Sequence, residues 1–473
     1  METPEYDLAI IGAGAAGLIA ADFALQLGAS VALLEKDRIG GDCTWTGCVP
    51  SKSLIKAASL AQQLRTAARY GLDTSVPAPA ADMSRIRDYL RATIRQIYEP
   101  TAPEALRARG IAVHIGATRF VDPHTLAAGT DRLRARRILI CTGAVPRRPA
   151  LSGLGDVPYV TYKEIFENDR LPATMAVIGG GPVGCEIAQA YQRLGAKVTL
   201  ICERLLPGAE PEVSELLAGI LTGEGIEHVR ARAQAVRRDG ACICVSTDHG
   251  DVPCELLLLA VGRQPDLGAL ALEAAGVRYS ERGIQVNTNL QTSARHIYAA
   301  GDVIGGAQFS HLAGWQAFQA ARNALLPGNS PGIPQALPHV TFTVPEVAQI
   351  GLTERKARAR FGNDVQAQSL DLSRVDRAVS EADPQGLVKL IARRNGRLLG
   401  ATVMGARAGE ALAEISVAMF SRLTLRDLAA SIHPYPTYNS AIQLLATQMA
   451  VRQAFSGMRG RIIRAMSRWS LRR

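Results

Sequence analysis

A glycine motif that occurs twice is the sequence feature that most restricts how this chain can fold. The apolar run 6–11 predicts a buried strand, and Gly12-Ala13-Gly14-Ala15-Ala16-Gly17 follows it, ahead of a helical stretch and a second strand over 30–34. Such glycines permit a tight turn, close approach of a pyrophosphate and close packing of helix on strand. Glu35 ends the second strand, where an acidic residue binds a ribose hydroxyl. The pattern predicts a Rossmann-like unit for a dinucleotide.

The second copy of the motif predicts a second unit of the same kind. A strand is expected over 175–178, followed by Gly179-Gly180-Gly181-Pro182-Val183-Gly184, a helix over 185–194 and a strand over 197–201. Sites for two dinucleotides in one chain are therefore expected.

Two cysteines stand shortly after the first motif, in Gly40-Gly41-Asp42-Cys43-Thr44-Trp45-Thr46-Gly47-Cys48-Val49-Pro50-Ser51-Lys52. Four intervening residues bring Cys43 and Cys48 within reach of each other if the segment makes about one helical turn. Pro50 is compatible with a helix that has just begun, and helix N-termini favour thiolates. The segment predicts a redox-active disulfide beside a dinucleotide. With two sites, we expect FAD and NAD(P)H, with a hydride passed to the flavin and an electron pair passed on to the disulfide.

These features resemble the pyridine nucleotide–disulfide oxidoreductases, which include dihydrolipoamide dehydrogenase, glutathione reductase and mercuric reductase. The resemblance extends over roughly residues 5–447. Further stretches that carry it are Ile140–Gly143, Leu259–Asp266, Ile297–Asp302, Gln308–Ala313 and Val340–Glu346.

The resemblance implies an α/β fold with two Rossmann-like domains, for FAD and NAD(P), and a C-terminal α+β dimerisation domain, hence a homodimer. The boundaries expected are 1–149 and 269–338 for the two parts of the FAD domain, 150–268 for the NAD(P) domain, 339–447 for the dimerisation domain and 448–473 for a basic amphipathic tail.

The resemblance also assigns catalytic roles to individual residues. Cys43 is similar to the interchange thiol that meets the substrate, and Cys48 to the thiol that makes a charge-transfer contact with the flavin. Lys52 is similar to a lysine near flavin N5, and Glu186 to the glutamate that pairs with it. The other cofactor-binding residues implied are Thr142, Gly143, Gly262, Arg263, Gly301, Asp302, His311, Leu312 and Ala313.

The choice between NADH and NADPH stays open. The ribose-acid position of the second unit falls on Cys202, with Glu203 and Arg204 next. Glu203 can bind a 2′-hydroxyl and favour NADH, whereas Arg204 can bind a 2′-phosphate and favour NADPH.

His433 resembles the family's acid–base histidine, which reaches the cysteines of the other subunit. A glutamate a few residues later normally orients it, but the candidate positions hold Tyr438, Asn439 and Ser440, and no acidic residue follows Asp427. We therefore expect His433 to lack a carboxylate partner, with Tyr438 or Asn439 able to orient the ring instead.

The electron acceptor is less well defined than the enzyme class. The missing glutamate counts against dihydrolipoamide dehydrogenase. The Gly-Asp-Cys-Thr-Trp variant of the disulfide motif favours the mercuric-reductase-like branch, yet residues 452–473 contain no cysteine and the first strand begins at about residue 6, without a metal-binding domain before it. The main prediction is an NAD(P)H:disulfide oxidoreductase for a small-molecule or protein disulfide. The alternatives are a metal or quinone reductase, or a membrane-associated redox-sensing or binding protein with incidental turnover.

The composition suits a cytoplasmic enzyme. The acidic start predicts no signal peptide, and the sequence lacks a run of eighteen apolar residues. Eight cysteines without regular spacing are not typical of a secreted scaffold. Cys242 and Cys244 alternate on one predicted strand, with Cys254 on its hairpin partner, but a fourth ligand is not apparent, so no metal site is predicted.

The segment from Gln448 onward carries seven arginines and no acidic residue, in a chain of net charge +10. On a helical wheel the apolar residues form one stripe and the arginines lie opposite, a pattern typical of helices on anionic membranes. A disordered or subunit-packed tail and a docking segment for a membrane or partner both stay open, and nucleic acid is not expected. The stripe comprises Phe455, Met458, Ile462, Met466 and Trp469, and the opposite face comprises Arg461, Arg464, Arg468 and Arg472.

Overall fold

The computed structural model describes residues 5–73, 80–265, 267–455 and 457–471. Contacts divide the chain into one unit of Met1–Glu203 with Gly225–Pro334 and a second of Arg204–Glu224 with Gln335–Arg473. The second unit thus includes a segment, Arg204–Glu224, that the sequence places inside the NAD(P) domain.

The first motif lies in a seven-stranded sheet. The strand Glu5–Ile11 pairs in parallel with Val31–Glu35 on one side and with Asp131–Ile140 on the other. Its apolar residues are buried on both faces, as expected for the centre of a parallel sheet. The order across the sheet is Ala112–Ile115, Val31–Glu35, Glu5–Ile11, Asp131–Ile140, Thr125–Ala128 and Thr118–Phe120, with Ile297–Ala299 also paired to Asp131–Ile140.

Helices of small residues cover this sheet. Ala15–Gln26 packs against Ser310–Leu325, and both present alanines at the contact, which lets the two helices approach closely. The cysteine segment forms a short helix, Gly41–Trp45, followed by a long one, Cys48–Arg65. The remaining helices of this region are Met83–Tyr98 and Pro103–Ala108.

The second motif lies in a four-stranded parallel sheet of the same unit. Its helix, Pro182–Leu194, begins directly after the glycines. A three-stranded antiparallel sheet is formed by Ala233–Asp239, Cys242–Thr247 and Gly250–Cys254, and it pairs Ile243 with Cys254, so the predicted hairpin is confirmed. The four parallel strands are, in order, Glu227–Val229, Lys197–Ile201, Thr174–Ile178 and Leu256–Leu259. Short pairs join Val145–Pro146 to Arg263–Gln264 and Tyr279–Ser280 to Gly283–Ile284.

The second unit is built on a five-stranded antiparallel sheet. Its order is His339–Thr341, Glu346–Gly351, Leu398–Gly405, Leu387–Arg393 and Val365–Asp371. Its core includes residues from the helices Ala408–Phe420 and Ser440–Ala454 as well as from the sheet. The other helices of the unit are Pro211–Gly223, Glu354–Phe361, Asp376–Ser380 and Leu425–Ala430.

The basic tail contains a helix, Gly457–Ser470, whose side chains from 461 to 471 are all exposed. Ile462, Met466 and Trp469 share one face, as the spacing predicts. The side chain of Met458 and the whole of Arg472 lie outside the described residues. Across the described chain, none of the helices combines the length and apolar content that crossing a lipid bilayer requires.

Candidate functional site

The glycines of the first motif are required by close backbone contacts. Gly12 has φ +101°, and a Cβ there would lie 2.4 Å from the carbonyl oxygen of Cys141. A Cβ on Gly17 would lie 1.9 Å from the carbonyl oxygen of Gly12. The chain can therefore turn sharply from strand to helix here only with glycine at both positions.

The second motif repeats this geometry. A Cβ on Gly179, with φ +123°, would lie 2.4 Å from the carbonyl oxygen of Ala260, and one on Gly184 would lie 1.9 Å from that of Gly179. Both motifs thus present a helix N-terminus behind a glycine turn, the arrangement that binds a pyrophosphate.

A cavity of about 400 Å³ opens above the first motif. Glu35, at the end of its strand, accepts hydrogen bonds from the backbone N–H groups of Ala13 and Asp37. The predicted site residues that line the cavity are Gly12, Gly14, Glu35, Cys43, Thr142, Gly143, Arg263, Gly301, Asp302 and Ala313. Gly17, Cys48, Lys52, His311 and Leu312 are not among its lining residues.

Two threonine hydroxyls in this cavity are buried without a hydrogen-bond partner among the described residues. They belong to Thr46 and Thr142. Buried polar atoms are rarely left unsatisfied, so these two hydroxyls indicate that a polar group occupies the cavity in the working protein. The glycine turn, the acidic strand end and the unsatisfied hydroxyls together fit a flavin dinucleotide.

The redox cysteines lie at the start of a long helix. Cys48 is the first residue of Cys48–Arg65, and Cys43 lies in the short helix before it. Both are thiols in this structure. A Cβ on Gly47, between the two helices, would lie 2.7 Å from the carbonyl oxygen of Asp42, so glycine is needed for the chain to turn there.

The two thiols have opposite acidities. The pKa of Cys48 is lowered to about 6, chiefly by a hydrogen bond with Cys43 and also by Ser310 and Lys52, against the opposing effects of desolvation and of the Glu186 carboxylate. The same hydrogen bond, together with burial, raises the pKa of Cys43. At neutral pH the reduced pair therefore holds its negative charge on Cys48 and its proton on Cys43.

An ion pair lies beside the cysteines. Lys52 Nζ is 2.9 Å from Glu186 Oε2, and it also donates a hydrogen bond to Ser51 Oγ at 3.2 Å. Glu186 is buried in the helix that follows the second motif, so this contact joins the cysteine helix to the NAD(P) part of the same unit.

Asp42 is the centre of a network that the sequence did not reveal. It accepts hydrogen bonds from Lys163, from Tyr162 Oη at 2.9 Å and from Arg263 Nη2 at 2.7 Å. Arg263 Nη1 also lies 2.6 Å from Asp302 Oδ2, and burial raises the pKa of Asp302. The partners come from segments more than a hundred residues away, which is why local patterns give no sign of the network.

The candidate nicotinamide-selecting residues are engaged elsewhere in this structure. Glu203 Oε2 pairs with Arg232 Nη2 at 2.9 Å on the surface of the first unit. Arg204, in the second unit, donates hydrogen bonds to Ser214 Oγ and to the carbonyl oxygen of Ala209. The choice between NADH and NADPH therefore stays open.

The expectation that His433 lacks a carboxylate partner is wrong. Its Nε2 lies 2.7 Å from Glu414 Oε1, its Nδ1 lies 3.1 Å from the carbonyl oxygen of Ser431, and its side chain is only 6 % exposed. Asn439 Nδ2 holds the other carboxylate oxygen of Glu414 at 2.7 Å. Glu414 lies on Ala408–Phe420, so the carboxylate comes from a preceding helix.

Tyr438, the other residue expected to orient His433, bonds elsewhere. Its hydroxyl donates to Glu381 at 2.9 Å. Two residues after His433, the side chain of Tyr435 is 73 % exposed, and its hydroxyl donates to Asp376 at 2.5 Å.

Comparison with known proteins decides the family. Residues 6–324 match the family model described as pyridine nucleotide-disulphide oxidoreductase, and residues 337–446 match that of its dimerisation domain. The chain belongs to this family. The sequence-based predictions of the family and of the fold class are therefore confirmed.

Among curated relatives of this pyridine nucleotide–disulfide oxidoreductase, a mercuric reductase of Streptomyces lividans is 37 % identical over 455 residues, 93 % of this chain and 95 % of the relative. A mercuric reductase of Bacillus cereus is 34 % identical over 93 % of this chain and 71 % of its own length. Among solved structures, the HOCl-induced flavoprotein disulfide reductase RclA from Escherichia coli is 26 % identical with a TM-score of 0.84, covering 93 % of this chain and 99 % of that one.

These similarities establish the enzyme class. The protein is an FAD-dependent oxidoreductase that uses NAD(P)H as donor and acts on a sulfur group. The predicted cofactors, FAD and NAD(P)H, are confirmed as those of the family.

Proposed function

We propose that Cys43 and Cys48 form the redox pair through which this enzyme reduces a disulfide. The observation that carries the proposal is the placement of the two sulfurs: Cys43 lines the cavity that fits FAD, and Cys48 begins the next helix, with Ser310 Oγ 3.4 Å from its sulfur. When bound, FAD accepts a hydride from NAD(P)H and supplies an electron pair to the cysteines.

The exchange with the acceptor follows thiol–disulfide chemistry. The sulfur of Cys43, once deprotonated, attacks the acceptor disulfide, so that a mixed disulfide forms and one acceptor thiolate leaves. Cys48 then attacks the sulfur of Cys43, which re-forms the Cys43–Cys48 disulfide and releases the second acceptor thiolate. Two electrons pass to the acceptor, and the two thiolates take up two protons.

A thiophilic metal ion is the second candidate acceptor. Several relatives bear the name mercuric reductase, and the RclA protein was also solved as a Cu(II) complex, at 25 % identity and a TM-score of 0.82. A pair of adjacent thiols suits such soft ions as well as disulfides.

Anaerobic reduction and an acceptor screen test the proposal. The FAD-loaded protein is reduced with NADH and separately with NADPH, and disulfides, Hg(II), Cu(II) and quinones are then added. We expect Cys43→Ser to abolish turnover of disulfides while flavin reduction persists. Full disulfide turnover by Cys43→Ser would exclude the assigned pair, and a response to quinones alone would favour a quinone reductase.

We propose His433 as the acid–base residue, as the resemblance implies, with Tyr435 as its competitor. The carboxylate of Glu414, 2.7 Å from Nε2, fixes the orientation of the imidazole ring, which supports the role. The burial of the ring opposes it, and Tyr435 on the same loop is the more accessible group. We expect His433→Ala to slow disulfide reduction by roughly ten- to ten-thousand-fold and to spare flavin reduction. If Tyr435→Phe showed this loss of disulfide reduction instead, and His433→Ala lowered only the stability of the protein, the acid–base role would belong to Tyr435.

We also propose that the enzyme is a homodimer in the cytoplasm. The family's dimerisation domain supports the dimer, and so does an exposed apolar surface on the second unit. Val417 and Phe420, three residues apart on the helix Ala408–Phe420, share one face, and Ile432 is a further exposed apolar residue of this unit. Apolar residues exposed together commonly mark protein–protein contacts.

Peripheral contact with an anionic membrane is a further part of the proposal. The helix Gly457–Ser470 exposes Ile462, Met466 and Trp469 on one side and arginines on the other. Such a helix lies with its apolar side in the lipid and its cations at the phosphates. A dimer presents two tails, which together bind more strongly than one.

Co-sedimentation with vesicles tests the membrane contact. We expect binding to anionic vesicles at low salt, weaker binding at high salt, and none to neutral vesicles. Deletion of 456–473 should remove binding while flavin content and NAD(P)H oxidation persist. If the full chain ignores anionic vesicles at low salt, the tail is not a membrane anchor.

A further inference from the structure

The start of a second helix lies against the sulfur of Cys48. Ser310 is the first residue of Ser310–Leu325, and its Oγ is 3.4 Å from Cys48 Sγ. Cys48 is itself the first residue of its own helix. Two helix N-termini therefore meet at this sulfur, and each contributes positive potential, but only Ser310 adds a hydroxyl that can donate a hydrogen bond.

The charged groups around Cys48 act in opposite directions. Lys52 favours a thiolate at Cys48, but its ammonium is paired with Glu186, whose carboxylate disfavours the thiolate. The remaining contacts are neutral: the thiol of Cys43 and the hydroxyl of Ser310. The ammonium of Lys52 and the carboxylate of Glu186 act against each other, whereas a hydroxyl that donates to the Cys48 sulfur from 3.4 Å stabilises a thiolate there.

We propose that Ser310 is a positioning residue that donates its hydroxyl hydrogen bond to the Cys48 thiolate and thereby tunes the redox pair. This inference rests on the proposed role of Cys43 and Cys48. Nothing in the motif patterns assigned a role to Ser310, although it stands within the stretch Gln308–Ala313 that resembles the family. The hydroxyl lines the same cavity as Cys43, so it lies beside both sulfurs.

The proposed hydrogen bond has a redox consequence. A thiolate exists only after the disulfide has accepted two electrons, so a donor that stabilises the thiolate stabilises the reduced form alone. Loss of the hydroxyl should make the disulfide harder to reduce. A tenfold loss in the reduction equilibrium corresponds to a potential about 30 mV more negative.

The test compares Ser310→Thr, which keeps a hydroxyl, with Ser310→Val, which has nearly the same shape and lacks it. Both are made in the FAD-loaded Cys43→Ser protein, where Cys48 is the only redox thiol. The charge-transfer absorbance is titrated with pH. We expect the Val variant to need a pH about half to one unit higher than the Thr variant, the roughly three- to tenfold effect of one net hydrogen bond.

A second readout does not depend on flavin absorbance. In the FAD-loaded protein, the pH dependence of Cys48 alkylation by iodoacetamide, followed on the peptide that contains it, reports its thiolate directly. We expect the same shift between the Val and Thr variants. With Cys43 retained, the Val variant should also show a more negative disulfide potential than the Thr variant.

The outcomes separate the two proposals. If Cys43→Ser shows no charge-transfer absorbance at any pH, the assignment of the redox pair fails. If the absorbance is present but the Val and Thr variants titrate within 0.2 pH unit of each other (about 1.6-fold) and alkylate alike, Ser310 only packs against Cys48 and the inference is overturned. Should Val prevent folding, Ser310→Ala against the unaltered serine gives the same comparison.

Discussion

A single side chain, that of Asp42, links several segments around the redox cysteines. Asp42 stands beside Cys43 and holds together segments from distant parts of the first unit through Tyr162, Lys163 and Arg263. Its carboxylate also compensates the charge of Arg263, which is the more buried of its two cationic partners. The conformation of the cysteine segment therefore depends on distant partners of Asp42 that the motif around it does not reveal.

Replacing Asp42 with Asn tests that dependence. The amide keeps the shape but removes the charge, so Lys163 and Arg263 each lose one anionic partner, and Arg263 keeps its contact with Asp302. We expect a loss of about 1–3 kcal/mol in the free energy of unfolding, less than for a fully buried pair because the groups keep some solvent contact. Urea unfolding measures the loss, and flavin content after purification should fall with it.

The matched control for this change is Asp251→Asn. Asp251 pairs with Arg237 at 2.8 Å, but both side chains are about half exposed, so we expect little change in stability. Equal losses in the two variants would mean that the Asp42 network is no more than a surface ion pair.

At the scale of elements, the turn from strand to helix within the first motif leaves no room for a side chain at Gly17. In Gly17→Ala the new methyl group would overlap the carbonyl oxygen of Gly12, so either the helix Ala15–Gln26 moves away or the protein does not fold. We expect loss of bound FAD and a lower thermal unfolding midpoint. The control, Gly219→Ala, adds a methyl to open space within the helix Pro211–Gly223 and should raise stability by up to about 1 kcal/mol.

A buried cation joins the elements of the second unit. Lys389 is 6 % exposed and lies 3.2 Å from Glu210, 2.5 Å from Glu212 and 2.8 Å from Glu354. Burial alone would lower the pKa of Lys389, but hydrogen bonds to Glu212 and Glu354 raise it overall. A hydrogen bond from Lys389 likewise lowers the pKa of Glu354.

The sign of the pH dependence follows from these shifts. The contribution of Lys389 is fully present below the unfolded-state pKa of about 10.4 and is lost as pH rises through the higher folded value. The contribution of Glu354 is present above about pH 4.3 and is lost as pH falls through the lower folded value.

We expect Lys389→Met to cost about 3–5 kcal/mol at pH 7, because Glu210, only 2 % exposed, is left without its cation. Lys356→Met, at an exposed position, is the control and should change little. Measured against pH, the difference between the two variants should shrink below about pH 4 and above about pH 11. A difference that does not vary with pH would mean that Lys389 acts through packing alone.

Local sequence patterns predict the strands of both motifs well, but they do not predict which distant side chains contact the site residues. The strand Lys197–Ile201 was predicted to the residue, and the other strands of both motifs to within one residue, because apolar runs and glycine turns are written in neighbouring positions. Glu414 and Ser310 were missed because each meets its partner through folding, from 19 and 262 residues away. Glu414 and Ser310 are residue types that are common in helices, so their neighbours in the sequence do not indicate these contacts.

At the scale of the whole molecule, assembly should depend on the exposed apolar surface of the second unit. Phe420 is 90 % exposed and Ile432 is 96 % exposed. Placing a charge in the centre of an apolar contact costs far more than placing one at the surface. We expect Phe420→Asp to shift the protein toward monomer in sedimentation velocity at micromolar concentration.

Leu64→Asp, an exposed position in the first unit, is the control for assembly and should sediment like the unaltered protein. Because the change at Phe420 lies outside the flavin cavity, bound FAD should persist in the monomer. An unaltered sedimentation coefficient for Phe420→Asp would exclude this surface as the dimer contact.

Ser310 follows Cys48 by 262 positions, and this separation also matters while the protein is being made. At typical rates of translation the ribosome needs on the order of ten seconds to a minute to synthesise that stretch. Throughout that interval the nascent chain carries both thiols without the helix that later meets Cys48. During that time the two thiols can be held only by the part of the chain that has already been synthesised.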